Sequence, residues 1–217
     1  MIYTLDILGT LAFAISGAFR AVKYELDLLG VLVLASVTGI AGGILRDVIL
    51  GATPPTALVD HWYVLVCIIG GLAVFFAAPK IATRWDYVML ADAIGLSVFT
   101  AIGASKAELH DATHLTVVLM GMMTSCGGGI IRDLLVIEIP SILRSDFYAS
   151  AALSGGVCFV LLGYLGIGEG TRFACTITVT LALRLLAMKY RLSLPRAKPL
   201  HASPSQIAKE KKNRRNK

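Results

Sequence analysis

The chain has 217 residues, of which 56% are hydrophobic and only 16% charged, and its mean hydropathy is +0.76. These values exclude an ordinary water-soluble domain and indicate that lipid surrounds most of the chain. The net charge of +6 arises in the C-terminal tail, because residues 193–217 hold eight Lys and Arg against Glu210. The basic charge therefore does not indicate a nucleic-acid-binding face.

Apolar runs of the length that crosses a hydrocarbon core, about 20 residues, follow one another along the chain. They predict an all-α integral membrane protein with seven transmembrane helices. The first run has no basic segment before it and contains Asp6, so we interpret it as a retained helix and not as a signal peptide. The predicted spans are Tyr3–Val22, Leu29–Leu50, Trp62–Ala78, Tyr87–Ala104, Leu115–Val136, Phe147–Leu165 and Thr171–Tyr190.

A glycine-rich run followed by Arg and Asp occurs twice, as Ile40–Asp47 and, 86 positions later, as Cys126–Asp133. Each copy of the surrounding sequence holds three spans, an odd number, so the second copy must enter the membrane from the opposite side. The prediction is an inverted three-plus-three repeat with a seventh helix added. The same shift of 86 matches Asp6 with Asp92, Gly9 with Gly95, Phe13 with Phe99, Thr38 with Thr124 and Pro54 with Pro140. The predicted parts are residues 1–79, 80–165, 166–192 and a disordered tail over 193–217.

The inversion predicts two groups of intramembrane charges, one near each face. Neighbouring side chains on a helix point about 100° apart, so we expect each Arg and Asp of a dipeptide to find its partner elsewhere or to face water. Ionisable groups at this depth are candidates for function, with a purely structural ion pair as the alternative. The expected groups are Asp6, Arg46 and Asp47 near the outer face and Asp92, Arg132 and Asp133 near the inner face.

The small residues beside these charges allow two interpretations. Adjacent glycines weaken a helix and let its backbone kink or open, and a helix that restarts near Ile44 or Ile130 presents a positive N-terminus to the membrane interior. Alternatively, small residues let two membrane helices approach closely. The positions concerned are Ala41, Gly42 and Gly43 in the first copy and Gly127, Gly128 and Gly129 in the second.

Hydroxyl side chains on the first, second, fourth and fifth spans suggest a polar pore lining, although each could instead bond to the preceding turn of its own helix. Lys106 and Arg20 occupy matching repeat positions and serve either as gates or as interfacial anchors. Arg184 of the last span either extends to the membrane surface or contacts another subunit. The predicted lining residues are Thr10, Ser16, Thr38, Ser97, Thr100, Thr124 and Ser125.

Nothing in the sequence indicates a cofactor or an enzyme, since it contains no nucleophile elbow, no HExxH motif and no phosphate-binding loop. His110, Asp111 and His114 have metal-like spacing but lack a fourth ligand, so we interpret them as a solvated turn and predict no metal site. The four cysteines lack metal-ligand spacing and are expected to be free, buried thiols.

Lys and Arg outside the predicted spans are distributed unevenly between the two sides. Counted together with those at the span ends, such as Arg20, Arg172 and Lys189, fifteen fall on one side and two on the other, which predicts an external N-terminus and a cytoplasmic C-terminus. The basic tail acts either as a topology and solubility device or by attraction to anionic lipid.

These features resemble the trimeric intracellular cation (TRIC) channel family, specifically its prokaryotic members, also labelled glycine-transporter-domain proteins. The resemblance is carried by two Gly-rich Arg-Asp motifs, each followed seven residues later by Pro, and covers about residues 3 to 190. It implies a homotrimer in the cell's inner (plasma) membrane, with a potassium-type pore in every protomer and second and fifth helices kinked at the glycines. Ala41 departs from the pattern, which suggests a shallower first kink. The lysine-rich lipid-binding segment of animal members has no counterpart near Pro79–Trp85.

Two functional hypotheses remain open from the sequence. In the leading one the chain is a passive monovalent-cation channel, whose four intramembrane aspartates attract cations and neutralise Arg46 and Arg132. In the alternative it is a secondary transporter of a small zwitterion such as glycine, because inverted repeats and broken helices also mark alternating-access proteins.

Overall fold

The computed structural model describes residues 2–81, 85–144, 147–190 and 192, and its regular elements there are all α-helices. The tail over 193–217 lies outside the described residues, as does Arg84, so the hypotheses that depend on them stay predictions. The helices are α1 Ile2–Lys23, α2 Leu28–Ile49, α3 Thr56–Val59, α4 His61–Ile81, α5 Trp85–Leu109, α6 His114–Leu135, α7 Ser141–Arg144, α8 Ala149–Tyr164 and α9 Glu169–Tyr190.

Five of these helices are long and apolar enough to cross a membrane: α1, α2, α6, α9 and the Val88–Leu109 part of α5. Two shorter apolar helices, α4 over His61–Ala77 and α8, lie where the third and sixth spans are predicted. The all-helical membrane fold is therefore as predicted, while the count of seven spans stays a prediction. The short helices α3 and α7, which precede α4 and α8, were not predicted from the sequence.

The two copies of the repeat start and stop their helices at equivalent residues. Asp27 caps α2 and Thr113 caps α6, each side chain accepting a hydrogen bond from the backbone N–H three residues later. Glu25 and Asp111 follow α1 and α5 with φ values of 54° and 53°, and a left-handed residue at this position ends a helix. The duplicated sequence thus specifies a duplicated backbone.

Helices α1 and α5 cross at the centre of the molecule, antiparallel to each other. The rings of Phe13 and Phe99 are stacked there with centroids 5.3 Å apart. A Cβ atom on Gly95 would lie 2.8 Å from the Phe13 ring, and one on Gly9 would lie 3.6 Å from the Phe99 ring. Repeat-equivalent residues therefore pack against each other. Helix α9 lies outside this symmetry, because it packs against α5 and α8 of the second copy.

Two charged clusters as the candidate functional site

The first charged cluster lies where α1, α2 and α5 meet and consists of Asp6, Arg46, Asp47 and Lys106. Asp47 Oδ1 accepts hydrogen bonds from Arg46 Nε and from Lys106 Nζ, both at 2.8 Å. Its Oδ2 accepts a third from the backbone N–H of Thr56, at the start of α3, at 2.9 Å. Arg46 and Asp47 are buried, with exposed fractions of 2% and 1%.

The second charged cluster lies where α1, α5 and α6 meet and consists of Arg20, Asp92, Arg132 and Asp133. Asp133 Oδ1 accepts a hydrogen bond from Arg132 Nε at 2.9 Å and lies 3.3 Å from Arg20 Nη2. Its Oδ2 accepts from the backbone N–H of Ser141, at the start of α7, at 2.7 Å. The arrangement repeats that around Asp47, with Arg20 in the place of Lys106.

The remaining carboxylate of each cluster distinguishes the two. Asp92 Oδ1 accepts a hydrogen bond from Arg132 Nη1 at 2.7 Å and another from Ser16 Oγ at 3.2 Å. Asp6 instead accepts a hydrogen bond from the Tyr63 hydroxyl at 2.9 Å and forms no ion pair with a described residue. The second cluster is thus a continuous ionic network, whereas the first is completed by a neutral donor.

Partners outside the dipeptide are present, as predicted, for Arg132, Asp47 and Asp133, but the prediction missed that each arginine also pairs with the aspartate that follows it. Arg46 and Arg132 each donate through Nε to the aspartate that follows them. The arginine side chain is long enough to fold back along its own helix, so the angle between adjacent Cβ directions does not prevent the contact. Each aspartate also receives the further donors described above.

The two clusters lie on opposite sides of the crossing between α2 and α6. At this crossing Gly42 meets the carbonyl of Thr124 and Gly128 meets the carbonyl of Thr38, so the helices run antiparallel. The Arg-Asp dipeptides follow the crossing by about six residues on each helix. At 1.5 Å per residue they are roughly 18 Å apart along the helix axes.

Close approach of helices, and not a break, accounts for the glycines at this crossing. A Cβ atom on Gly42 or on Gly128 would overlap a carbonyl oxygen of the facing helix. Both helices are continuous through their glycines, so the restarted half-helices expected near Ile44 and Ile130 are not present in this structure. A bend without a break, including a shallower one at Ala41, stays a prediction.

The remaining small residues of the motifs have looser surroundings. A Cβ atom on Gly43 would have Arg46 Nη2 at 3.7 Å as its nearest neighbour, and one on Gly127 would lie 3.1 Å from a methyl group of Leu45. A Cβ atom on Gly129 would lie 2.9 Å from the Tyr148 hydroxyl. Among the motif glycines, Gly42 and Gly128 therefore make the tightest approach to the facing backbone, and a Cβ atom on Gly127 would lie 3.3 Å from the Gly42 Cα atom.

Most of the hydroxyls predicted to line a pore are bonded to their own helices. They donate to backbone carbonyls three or four residues earlier at 2.6–3.0 Å, as the alternative interpretation allowed; these are Thr38, Ser97, Thr100, Thr124 and Ser125. Thr10 and Ser16 are different, because each lines a cavity beside a charged cluster. The structure thus brings two of the seven predicted hydroxyls to the candidate site.

The cavities beside the two clusters differ in size. The first has a volume of about 10 Å³ and is lined by Asp6, Thr10, Arg46 and Tyr63 among others. The second has a volume of about 130 Å³, and the charged groups on its walls are Arg20, Asp92, Arg132 and Arg184. Arg184 is therefore buried beside a cavity and does not extend to the membrane surface. A contact of Arg184 with another subunit stays a prediction.

Sequence analysis missed a group of polar residues outside the membrane helices. Glu138, in the loop after α6, forms ion pairs with Arg20 at 3.0 Å and with Lys23 at 3.3 Å and accepts a hydrogen bond from the Tyr24 hydroxyl. Burial alone would raise the pKa of Glu138, but these donors and charges outweigh it and hold the pKa below its ordinary value of 4.5. The repeat gave no signal, because Ala52 occupies the equivalent position in the first copy.

The histidines with metal-like spacing have other partners. His110 Nδ1 lies 2.8 Å from the Lys106 carbonyl oxygen, and His114 Nδ1 lies 2.9 Å from the Tyr164 hydroxyl. Among the residues that the structure describes, no three His, Cys, Asp or Glu side chains come together as metal ligands. All four cysteines are free, two of them buried and two partly buried.

The fold and these clusters define a class: an all-helical membrane protein with paired buried charges at the two ends of one helix crossing. A model of the family described as "Glycine transporter" matches the chain twice, over residues 3–79 and 89–164. The UPF0126 inner membrane protein YadS of Escherichia coli K12 is 40% identical over 90% of this chain and 95% of its own length. A UPF0126 membrane protein of Vibrio cholerae is 41% identical over 90% of this chain and 82% of its own.

Solved structures agree with these matches. A TRIC cation channel structure superposes with a TM-score of 0.85 at 40% identity, covering 92% of this chain and 98% of that one. The TRIC orthologue from Rhodobacter sphaeroides gives a TM-score of 0.84 at 34% identity, covering 88% and 98%. The chain therefore belongs to the TRIC, or glycine-transporter-domain, family, as its sequence motifs indicate. It is a membrane protein related to channels and not to enzymes.

Proposed function

We propose that the chain is a passive channel for monovalent cations such as potassium, with a separate pathway in each protomer of a homotrimer. The observation that carries the proposal is the pair of charged cavities on opposite sides of one glycine-lined helix crossing. Each cluster holds two aspartates beside two cationic side chains, and each arginine is paired with an aspartate, so an approaching cation meets carboxylates beside arginines that are already neutralised. The likeness to TRIC cation channels at 40% identity supports the same conclusion.

The crossing of α2 and α6 is the proposed constriction. The Thr124 carbonyl faces Gly42 and the Thr38 carbonyl faces Gly128 across it, and carbonyl oxygens can replace water around a cation. Conduction then requires the two helices to separate or rotate until an ion can pass between the glycines. Glycine at positions 42 and 128 leaves no side chain there that this movement would have to displace.

The same proposal includes an arrangement in the membrane. Residues 1–79 and 80–165 form two inverted three-helix repeats, residues 166–192 form a seventh spanning helix, and the tail over 193–217 is cytoplasmic. The two matches to one family model and the antiparallel crossings support the inversion. The bias of Lys and Arg supports an external N-terminus in the inner membrane, with anionic lipid as a partner of the tail.

Recording from the purified protein in a planar bilayer with a potassium chloride gradient tests this function. We expect discrete unitary current steps and a reversal potential near the value for potassium. Replacing potassium by a large organic cation should abolish the steps. A reversal potential near the chloride value, or flux without unitary steps, would contradict the proposal.

A secondary transporter of a small zwitterion such as glycine is the second candidate. The observation that favours it is the unequal size of the cavities, about 130 Å³ and 10 Å³, since a transporter opens its two ends alternately. Proteoliposomes should then show saturable uptake of labelled glycine that is accelerated by unlabelled glycine inside. Equal uptake with and without internal glycine would count against transport.

A further inference from the structure

The second cavity contains a guanidinium group that no carboxylate of a described residue balances. Arg184 of α9 lines this cavity with an exposed fraction of 7%, and its Nε is buried without a hydrogen-bond partner among the described residues. Its guanidinium carbon lies 4.8 Å from the centre of the Tyr148 ring. Among the described residues, the Arg184 guanidinium group thus contacts the Tyr148 ring.

The contact with Tyr148 is too weak to account for a buried charge. A cation over an aromatic ring gains about 0.5–2 kcal/mol, whereas removing an ion from water costs several kcal/mol even after the protein relaxes. Buried charges are therefore normally paired with an opposite charge. The expected partner of Arg184 is an anion.

The carboxylates around the second cavity are already taken up by other cations. Arg132 bridges Asp92 and Asp133, Arg20 bridges Asp133 and Glu138, and Lys23 also pairs with Glu138, so three cations already face three carboxylates before Arg184 is counted. The α9 guanidinium thus adds a positive charge to a network that is complete without it. The anion must come from outside the described part of the chain.

We propose that the second cavity is a binding site for a small oxyanion of the carboxylate or phosphate class, held by Arg184. The volume of about 130 Å³ is well above the roughly 10–15 Å³ that a single water molecule needs. It admits a phosphate or acetate ion. The guanidinium group binds both classes in bidentate geometry.

Asp92 selects among oxyanions of this size. It lies on the cavity wall, and its Oδ2 has no hydrogen bond from a described residue. An oxyanion that also carries a donor, such as dihydrogen phosphate, can give its proton in a hydrogen bond to this oxygen while its other oxygens face Arg184. Acetate has no such donor and meets the carboxylate as a like charge, so it should bind more weakly than phosphate.

The site exists at one end of the molecule only. Helix α9 packs against α5 and α8, and the first cavity, of about 10 Å³, receives no side chain from it. The proposal concerns binding alone, so it is independent of whether the chain conducts or transports. Two sources share the required chemistry: a free oxyanion in the cytoplasm and the phosphate of a lipid headgroup.

Thermal unfolding of the purified full-length protein in detergent tests the site. Inorganic phosphate or acetate is titrated at constant ionic strength against chloride, in a zwitterionic buffer at pH 6. We expect a saturable rise in Tm with phosphate, a smaller one with acetate and none with chloride, since a ligand stabilises the state that binds it. In Arg184→Gln the phosphate affinity should fall about tenfold or more, because charge-assisted hydrogen bonds are lost.

Lys189→Gln is the matched control, because it removes a positive charge from the same helix at an exposed position. It should keep the phosphate response of the wild type. Arg184→Lys, which keeps the charge but not the bidentate geometry, should show an intermediate affinity and covers the case in which Arg184→Gln does not fold. An Arg184-dependent rise with phosphatidylglycerol in the micelles, but not with phosphate, would assign the site to a lipid headgroup.

Two results would overturn the proposal. One is a phosphate response in Arg184→Gln or Arg184→Lys equal to that of the wild type. The other is a wild type whose Tm responds to neither phosphate nor phosphatidylglycerol, or responds equally to phosphate and chloride. Without ligand, Arg184→Gln should be at least as stable as the wild type, since it removes an unpaired buried charge.

Discussion

The first and second charged clusters are built from equivalent residues but are held together differently. Asp47 and Asp133 share a pattern of an adjacent arginine, a cation from another helix and the backbone N–H of a short following helix, and Asp133 accepts one further hydrogen bond from the Ser141 hydroxyl. The remaining carboxylates differ, because Asp92 is paired with Arg132 whereas Asp6 is bonded to a tyrosine. The two copies of the sequence therefore form the same contacts within one helix and the loop that follows it. Their contacts differ where other helices contribute side chains.

Helix α9 is the main source of this divergence. Its main packing is against α5 and α8 of the second copy, and it places Arg184 beside the larger cavity. The loop after α6 adds Glu138 to the same end. The second end thus carries more ionic contacts and more open volume than the first, so the two ends of the proposed pathway should respond differently to equivalent substitutions.

The largest expected difference concerns the two unequal aspartates. Asp92→Asn removes one of the two carboxylates that pair with the buried Arg132 and should lower the free energy of unfolding by about 1.5–3 kcal/mol. Asp6→Asn changes a hydrogen bond to Tyr63 and should cost about 1 kcal/mol. Denaturant unfolding of both variants in the same detergent measures the difference. Equal losses would show that the two clusters are energetically equivalent despite their contacts.

In contrast, equivalent glycine substitutions on the two helices of the α2–α6 crossing should lower stability by similar amounts. Gly42→Ala and Gly128→Ala each place a Cβ atom against a facing carbonyl, and such overpacking should cost about 1–3 kcal/mol. Gly43→Ala is the matched control on the same helix, because its Cβ atom would meet nothing closer than 3.7 Å. Tm measurements on the three variants test this. A tolerated Gly42→Ala would mean that the helices do not approach as closely as described.

Lys106 and Arg20 occupy equivalent repeat positions, so substitutions of the two residues compare their effects on gating. Lys106 ties α5 to Asp47 with a single ion pair, whereas Arg20 bridges Asp133 and Glu138. Under the proposed channel function, Lys106→Met should change the open time severalfold while leaving the unitary current similar, at a stability cost of about 1 kcal/mol or less. Single-channel recording beside Arg20→Met measures this. Identical open-time distributions in Lys106→Met and the wild type would remove Lys106 from gating.

The smallest expected effect is the pH dependence of the Glu138 contacts. The pKa of Glu138 is held below 4.5 in the folded protein, so its stabilising contribution is complete above about pH 4.5 and is lost as the pH falls through the lowered value. The Tm difference between the wild type and Glu138→Gln should be constant from pH 7 to pH 5 and shrink below that. A partly exposed ion pair of this kind contributes under about 1 kcal/mol. A Tm difference that stays constant down to pH 3 would contradict this role of the Glu138 contacts.

Much of the fold could be predicted, because the relevant signals are local. The length of apolar runs locates the helices, and the 86-residue shift pairs Asp6 with Asp92 and Arg46 with Arg132. The grouping of these charges at opposite ends of one crossing agrees with the antiparallel contacts of α2 and α6. Their functional roles stay proposals.

Details that depend on side-chain length were predicted poorly. The pairing of each arginine with its own neighbour was missed, because the prediction considered directions at Cβ and not the reach of the guanidinium group. The hydroxyls assigned to a pore lining mostly bond to their own helices, since a buried Thr or Ser satisfies its donor at the nearest carbonyl.

By itself the sequence determined that the chain is a helical membrane protein built from two copies of one charged, glycine-rich unit. Composition and periodicity are sufficient for this, because lipid demands long apolar helices and a repeat is visible as identity at a fixed shift. Only the tertiary structure decided how the glycines are used, which aspartate faces an arginine, and that Arg184 lines a cavity. These features depend on contacts between residues far apart in the chain. At such contacts, one different side chain on a neighbouring helix changes the partners of the residues that face it.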